Sequence, residues 1–283
     1  MSIVLRSLLF TPANRPAAFE KALGVGADCV CLDLEDAVPP DGKAAARPDA
    51  LAFLDAAKQQ NAGALRAIRI NALSSLAGLQ DLAILAEAAP RAGLIMLPKV
   101  ANAQEVQLAA SILDEAGSGA ELLALVETAR GLCCVEQIAL ATPRLRALVF
   151  GGVDLSAELG AASGSDTMRI ARARIVQAAR AAELDVLDVP ELDFRNPEVV
   201  ATASANAAQN GFTGKAAIHP SNIATINAAF TPDPDEIAKA QEVIAAFEAA
   251  PNGLVVIDGK LIEAPVIKGM RRRLAIAKAA GQL

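Results

Sequence analysis

The chain has 283 residues, is 53% hydrophobic, and sets 26 Lys and Arg against 32 Asp and Glu for a net charge of −6. That length buries one large core or two small ones, and an acidic chain without Trp or Tyr is a poor partner for nucleic acid. Mean hydropathy is +0.36, yet no apolar run reaches the roughly 20 residues that span a membrane, so no membrane partner is expected.

The start, Met1-Ser2-Ile3-Val4-Leu5-Arg6, becomes charged too soon for a secretion signal, which predicts a cytoplasmic protein. Short apolar bursts then recur: "SLLF" at 7, "CVCLDL" at 29, "LRAIRI" at 65, "LIMLP" at 94, "LLALVE" at 122, "RALVF" at 146, "LDVLDV" at 184 and "FTGKAAI" at 212. Each has strand length and is apolar throughout, as strands covered on both faces are. Ala-rich stretches of helical period lie between them, such as "SLAGLQDLAILAEAA" and "MRIARARIVQAARAAE", the second preceded by the capping candidates Ser165 and Asp166. Eight strand–helix units over residues 1–230 predict an α/β fold, a TIM (β/α)8 barrel. A doubly wound open sheet is the alternative, weakened because no Gly-x-Gly-x-x-Gly follows the first strand.

Residues 231–283 read as a C-terminal helix–hairpin–helix appendage. "TPDPDEIAKAQEVIAAFEAA" is a helix capped by Asp233, opened by Pro234, with Ile237, Ala240, Ile244 and Phe247 as its apolar stripe. "LVVIDGKLIEAP" reads as a hairpin around Asp258-Gly259, and a basic helix with Arg271, Arg272 and Arg273 closes the chain. A segment too short for its own core is expected to pack on a neighbouring subunit.

The four cysteines fall as Cys29-x-Cys31 and Cys133-Cys134. Neither spacing matches a zinc site or a redox pair, and all four read as small buried hydrophobes, Cys29 and Cys31 on one strand face.

Catalytic groups of such barrels sit at the C-terminal ends of strands. Here the strands run into "TPANRP", Glu35-Asp36, Arg69 and Asn71, Lys99, Glu127, Asp154, Asp188 and His219. These groups are expected to converge on one mouth. Several carboxylates with an Arg and a Lys, and without a Ser-His-Asp or Cys-His pattern, suit Mg²⁺, which takes oxygen ligands and keeps waters for substrate to replace. One His and no cysteine cluster argue against zinc.

"RSLLFTPANRP", "DCVCLDLEDAVPPDGKAAAR", "RAIRIN", "LPKV", "LVETARG", "FGGVDLSAELG" and "GFTGKAAIHPSNI" together resemble the HpcH/HpaI aldolase and citrate lyase superfamily, in its citrate lyase β-subunit-like branch of citramalyl-CoA and malyl-CoA lyases. The resemblance runs in order from about Arg6 to the C-terminus. It implies a TIM barrel assembled as a trimer or hexamer. It implies Mg²⁺ on Glu127 and Asp154, with Arg69 gripping the substrate carboxylate. Glu35 and Asp36 match the acidic pair that meets metal-bound waters, with Asp36 among the catalytic groups and Glu35 at the substrate. Arg6 and Arg15 match the segment near the CoA phosphates, and Lys43 and Arg47 match positions after "LEDAV". The family tail often reads Asp-Gly-Lys-Met-Ile-Asp-x-Pro, its last Asp being an acid–base residue delivered to the next subunit. Here "DGKLIEAP" puts Glu263 in that place, which leaves the substrate and the balance of lyase and thioesterase activity open.

The activity implied is Mg²⁺-dependent carbon–carbon cleavage of a carboxylate-bearing 3-hydroxyacyl-CoA. Citramalyl-CoA would give acetyl-CoA and pyruvate; malyl-CoA would give acetyl-CoA and glyoxylate. The alternatives are a citrate lyase β subunit acting on an acyl-carrier protein, a malyl-CoA thioesterase, and a barrel that binds acyl-CoA without turnover.

Overall fold

The computed structural model describes residues 4–55, 63–250, 255–257 and 259–283. Eight parallel strands close into a barrel in chain order: β1 (Ser7–Pro12), β2 (Cys29–Asp33), β3 (Leu65–Arg69), β4 (Leu94–Leu97), β5 (Glu121–Val126), β6 (Leu145–Phe150), β7 (Asp185–Asp188) and β8 (Gly214–Ala217). Closure is made by β8 against β1, with Lys215 beside Ser7 and Ala216 beside Leu8. Each of the eight apolar bursts is one of these strands, so the TIM barrel expected from the sequence is the fold observed.

Helices alternate with the strands: α1 (Phe19–Leu23), α2 (Lys43–Asp55), α3 (Leu76–Ala88), α4 (Ala103–Glu115), the one-turn α5 (Ala129–Cys133) and α6 (Val135–Ala139), α7 (Gly152–Leu159), α8 (Asp166–Ala181), α9 (Pro197–Gln209) and α10 (Ile223–Phe230). Local chemistry sets their starts. Ser75, Asn102, Thr128, Ser165 and Asn196 each accept a backbone N–H of the first turn with a side-chain oxygen, which satisfies donors the helix itself cannot.

Period-two alternation along the strands decides what fills the barrel. Leu8, Cys29, Cys31, Ala67, Leu94, Met96, Leu123, Leu125, Ala147, Val149, Leu187 and Ala216 form one interior cluster, none more than 4% exposed. Cys29 and Cys31 therefore share the inner face as expected. Cys133 and Cys134 do not follow the expectation of burial: Cys133 is exposed and Cys134 half-buried, because they fall at the junction of α5 and α6, where the chain turns outside the sheet.

Two compact units divide the chain, Leu5–Asn227 and one containing Ala228–Leu283. In the second, α11 (Pro234–Ala249) begins at a capping box in which Asp233 accepts from the Glu236 backbone and Glu236 from that of Asp233. Strands β9 (Val255–Ile257) and β10 (Lys260–Ile262) pair antiparallel, with Gly259 at φ +72°. Asp258, named with Gly259 as the turn, lies outside the described residues. Helix α12 (Ala264–Ala279) follows. Val243, Ile262 and Ile267 are the buried centre of this unit, with Ile244, Phe247 and Met270 packed against it. No helix among the described residues is long and apolar enough to cross a membrane.

Candidate active site

The inner face that carries Cys29 and Cys31 along β2 carries Asp33 next, and the face that carries Ala67 along β3 carries Arg69 next. Their Cα atoms are direct partners in the β2–β3 register. Arg69 donates from Nε to Asp33 Oδ1 at 2.8 Å and from Nη2 to Asp33 Oδ2 at 2.6 Å, the planar two-bond pairing that suits a guanidinium to a carboxylate. Its Nη1 lies 3.1 Å from Glu35 Oε2, its Nη2 3.4 Å from Asp36, and the Phe10 ring centroid is 4.9 Å away. Burial works against the Arg69 charge, but the hydrogen bonds and charge of Asp33 outweigh it and push the pKa up. The apolar strand β2 therefore runs into Asp33 and Glu35 beside a buried cation, Arg69.

Glu127 follows β5 on the inward side and is 2% exposed. Its Oε1 accepts the Lys99 backbone N–H at 2.8 Å, and its carboxyl hydrogen-bonds Asp154, which lies in the first turn of α7. Burial, that bond and the nearby Glu35 charge push Glu127 up to about 8. Glu127 and Asp154 line the same cavity, and two carboxyls facing one space offer oxygen ligands to a cation. Gly151 makes room for this: a Cβ there would come within 2.2 Å of Glu127 Cβ and 2.7 Å of its Oε2.

Glu35 pairs with the Lys99 ammonium, while its buried Oε2 faces Arg69 without a hydrogen bond. Burial raises its pKa against the pull of Arg69 and Lys99. Asp36 is more than half exposed. A cavity of about 400 Å³ opens over these groups, walled by Asp33, Asp36, Arg69, Glu127 and Asp154 and by the apolar Phe10, Val153, Val189, Leu192 and Ile218. Around it stand the carboxyl groups of Asp33, Glu35, Asp36, Glu127 and Asp154, with Arg69 and Lys99 paired to Asp33 and Glu35, an oxygen-rich lining that suits a divalent cation. Among the described residues no three His, Cys, Asp or Glu side chains form a cage. Glu127 and Asp154 are thus the pair that could hold such an ion, with coordination positions left for water and substrate.

The strand-end expectation holds for Glu35, Asp36, Arg69, Glu127 and Asp154, which meet at one mouth, and Arg15 follows β1 there as an exposed residue. Asp188 and His219 do not join that group, and Arg6, Lys43, Arg47 and Glu263, which only the resemblance implies, have the following surroundings. Arg6 precedes β1 and so lies at the opposite end of the barrel, about 20 Å from the strand's far end at 3.3 Å per residue, with both its Nε and Nη2 on Asp28 at 2.8 and 2.7 Å. Lys43 spends its three donors on Leu34 O, Glu35 O and Asn71 Oδ1, at 2.8, 2.7 and 2.6 Å. Arg47 pairs with Asp81 at 2.6 Å, and Asp81 accepts from Asn71 in turn. Lys43 and Arg47 support the acidic loop after β2 and do not line the cavity. Asp188 alternates with the inward Leu187 and so faces outward, held by Lys215 at 3.1 Å and Arg172 at 2.6 Å. His219 stacks on Phe194 and contacts Ser221. Glu263 belongs to the second unit, exposed at the N-cap of α12 with no capping hydrogen bond.

Lys99, expected at the end of the fourth strand, joins this mouth through Glu35 and Glu127, and two further contributors, Asp33 and Gly151, lie outside the expected set. Strand parity carries the signal for Asp33, since it follows two inward cysteines at spacing two. Nothing local marks Gly151, whose part depends on a neighbouring strand.

The family model for HpcH/HpaI aldolase/citrate lyase matches residues 6–220. A (3S)-malyl-CoA thioesterase of Cereibacter sphaeroides is 37% identical over 279 residues, 97% of this chain and 95% of that protein. An L-malyl-CoA/beta-methylmalyl-CoA lyase of Cereibacter sphaeroides is 35% identical over 295 residues, 93% of this chain and 91% of that protein. Among solved structures, the protein CitE from Mycobacterium tuberculosis, in complex with magnesium, acetoacetate and coenzyme A, is 32% identical with a TM-score of 0.78, covering 98% of this chain and all of that one.

Proposed function

The chain belongs to the HpcH/HpaI aldolase/citrate lyase family, and from that premise we propose that it is a Mg²⁺-dependent carbon–carbon lyase of a carboxylate-bearing 3-hydroxyacyl-CoA, malyl-CoA or citramalyl-CoA. The observation that carries the reading is that Glu127 and Asp154 line one mouth together with Asp33, Asp36 and Arg69. Magnesium held by Glu127 and Asp154 would supply Lewis-acid polarisation of the substrate hydroxyl and carboxylate oxygens.

The remaining work falls to side chains. Arg69 is fixed by Asp33 and Phe10 before any ligand arrives, so it offers its charge to the substrate carboxylate without reorganisation. Asp36, exposed at the rim, is placed to accept a proton from water or the substrate hydroxyl. The apolar wall of Val153, Val189, Leu192 and Ile218 excludes water from the acyl chain as the carbon–carbon bond breaks. The acetyl-CoA enolate then needs a proton, and Glu263 from the tail of a neighbouring protomer in a trimer or hexamer is the proposed donor. Arg15, free at the mouth, is the proposed contact for the CoA phosphates.

Hydrolysis of the thioester is the second reading, favoured because a relative that spans almost the whole chain is named a thioesterase. A panel of purified CoA esters, incubated with Mg²⁺ or with EDTA and followed by mass, separates the two. Acetyl-CoA with glyoxylate or pyruvate, abolished by EDTA, supports the lyase. Free CoA thiol with intact malate and no acetyl-CoA supports hydrolysis, and turnover that survives EDTA overturns the metal-dependent reading.

A further inference from the structure

We propose that Lys99 is the positioning residue of the cation site, a single strand-end residue that ties Glu127 to Glu35. Three non-glycine residues among those described have positive φ: Ala89, Lys99 and Glu183. Ala89 caps the end of α3 and Glu183 follows α8, places where left-handed backbone ends a helix. Lys99, at φ +51°, lies two residues past β4 and ends no helix, so its conformation has no such local reason and points to a functional one.

What the conformation achieves is visible on both sides of the residue. The Lys99 N–H reaches Glu127 Oε1 at 2.8 Å, while its ammonium pairs with Glu35 and lies 3.8 Å from Asp36. The next residue is pinned twice. Val100 N donates to Leu125 O at 3.3 Å, and Val100 O sits so close to α5 that a Cβ on Gly131 would be 2.1 Å from it. Lys99 is thus held between a fixed strand end and the loop after β2. The ammonium–Glu35 pair keeps the backbone left-handed, and that backbone keeps one oxygen of Glu127 engaged, which fixes how the carboxylate is presented to a cation. Lys99 itself touches no cation in this scheme; it acts through Glu127, as residues behind a metal ligand do.

This inference rests on the proposed cation site, and its test separates the two. Titration of Mg²⁺ into the purified chain, read by calorimetry, is compared for wild type, Lys99→Met, Lys99→Gln and Lys99→Arg, with circular dichroism to confirm folding. If Lys99 were only a nearby positive charge, removing it would tighten binding of a dication. As a positioning residue its loss weakens binding roughly tenfold or more in Lys99→Met, with Lys99→Arg nearer wild type because a cation still meets Glu35. Lys99→Gln carries the test if Lys99→Met fails to fold. Neutral variants that bind Mg²⁺ as tightly as wild type, or more tightly, overturn the inference alone. Absence of binding by wild type overturns the cation site and the inference with it.

Discussion

Arg69 and Asp33, direct partners in the β2–β3 register, join through two hydrogen bonds of 2.8 and 2.6 Å at the top of the barrel interior, both side chains at most 10% exposed. Such a pair is costly to break on one side, since the surviving charge stays buried without its partner. Asp33→Ala should lower unfolding free energy by about 3–5 kcal/mol, measured by urea denaturation. A loss below about 1 kcal/mol would show that Glu35 and Asp36 alone can neutralise Arg69.

Arg69→Lys keeps the charge and loses the fork. One ammonium cannot hold both oxygens of Asp33 in plane while also facing Glu35. Activity on carboxylate-bearing esters is expected to fall on the order of a hundredfold, about 2.7 kcal/mol of transition-state stabilisation, with a smaller fall in thermal stability. Wild-type kinetics on every ester would assign Arg69 a structural part only.

The raised pKa of Glu127 gives the site a pH dependence. Unfolded, its carboxyl titrates near 4.5; folded, near 8. The folded state holds the extra proton between those values, so this group's contribution to stability is complete below about 4.5 and is lost as pH rises through about 8. At the proposed cation site Mg²⁺ would compete with that proton. Its apparent affinity should therefore climb about tenfold per pH unit below 8 and level off above it, with the nearby charges of Glu35 and Lys99 acting on Glu127 as well. Calorimetry at pH 6, 7, 8 and 9 checks this, and a flat profile would mean that Glu127 binds the ion unprotonated throughout.

Much of this could be read before the fold was known. Apolar strands between amphipathic helices specify a barrel because both sheet faces are covered, and the strand-end position of Glu35, Arg69, Glu127 and Asp154 follows from that topology. Where the reading failed, a register or a three-dimensional approach decides. Asp188 is one residue out of phase with the inward Leu187, so it points to the helices and pairs with Lys215 and Arg172. Arg6 starts a strand where Arg69 ends one, and the two ends of a barrel are chemically separate. Lys43 and Arg47 lie near the site in sequence, but their donors are consumed by Leu34, Glu35, Asn71 and Asp81, a closure no spacing announces. The left-handed backbone of Lys99 is likewise invisible in "LPKV".

Gly151 is the simplest steric test of the site. Its backbone N–H continues the β5–β6 ladder to Val126 O at 3.0 Å, so it cannot move aside cheaply, and the missing Cβ is the space that Glu127 fills. Gly151→Ala should displace the Glu127 carboxylate, weaken Mg²⁺ binding and reduce turnover on the order of 10²- to 10³-fold, while circular dichroism stays native. A fully active alanine variant would show that Glu127 need not hold this rotamer.

The tail prediction concerns Glu263. It is exposed at the start of α12 and caps nothing, so its carboxylate has no assigned partner in its own helix. If it supplies the proton to a neighbour's enolate, sites are built from two chains and lesions can complement. Asp154→Ala and Glu263→Ala proteins should each be nearly inactive alone. Co-expressed in equal amounts within one closed ring, about a quarter of the sites combine an intact Asp154 with a neighbour's intact Glu263, whatever the ring size, since each condition is met half the time. Activity should return to about that fraction of wild type in tagged, purified mixed oligomers. If Glu263 serves its own barrel, every site in the mixture carries one lesion and nothing is rescued; if it is not catalytic, the Glu263→Ala protein is active before any mixing.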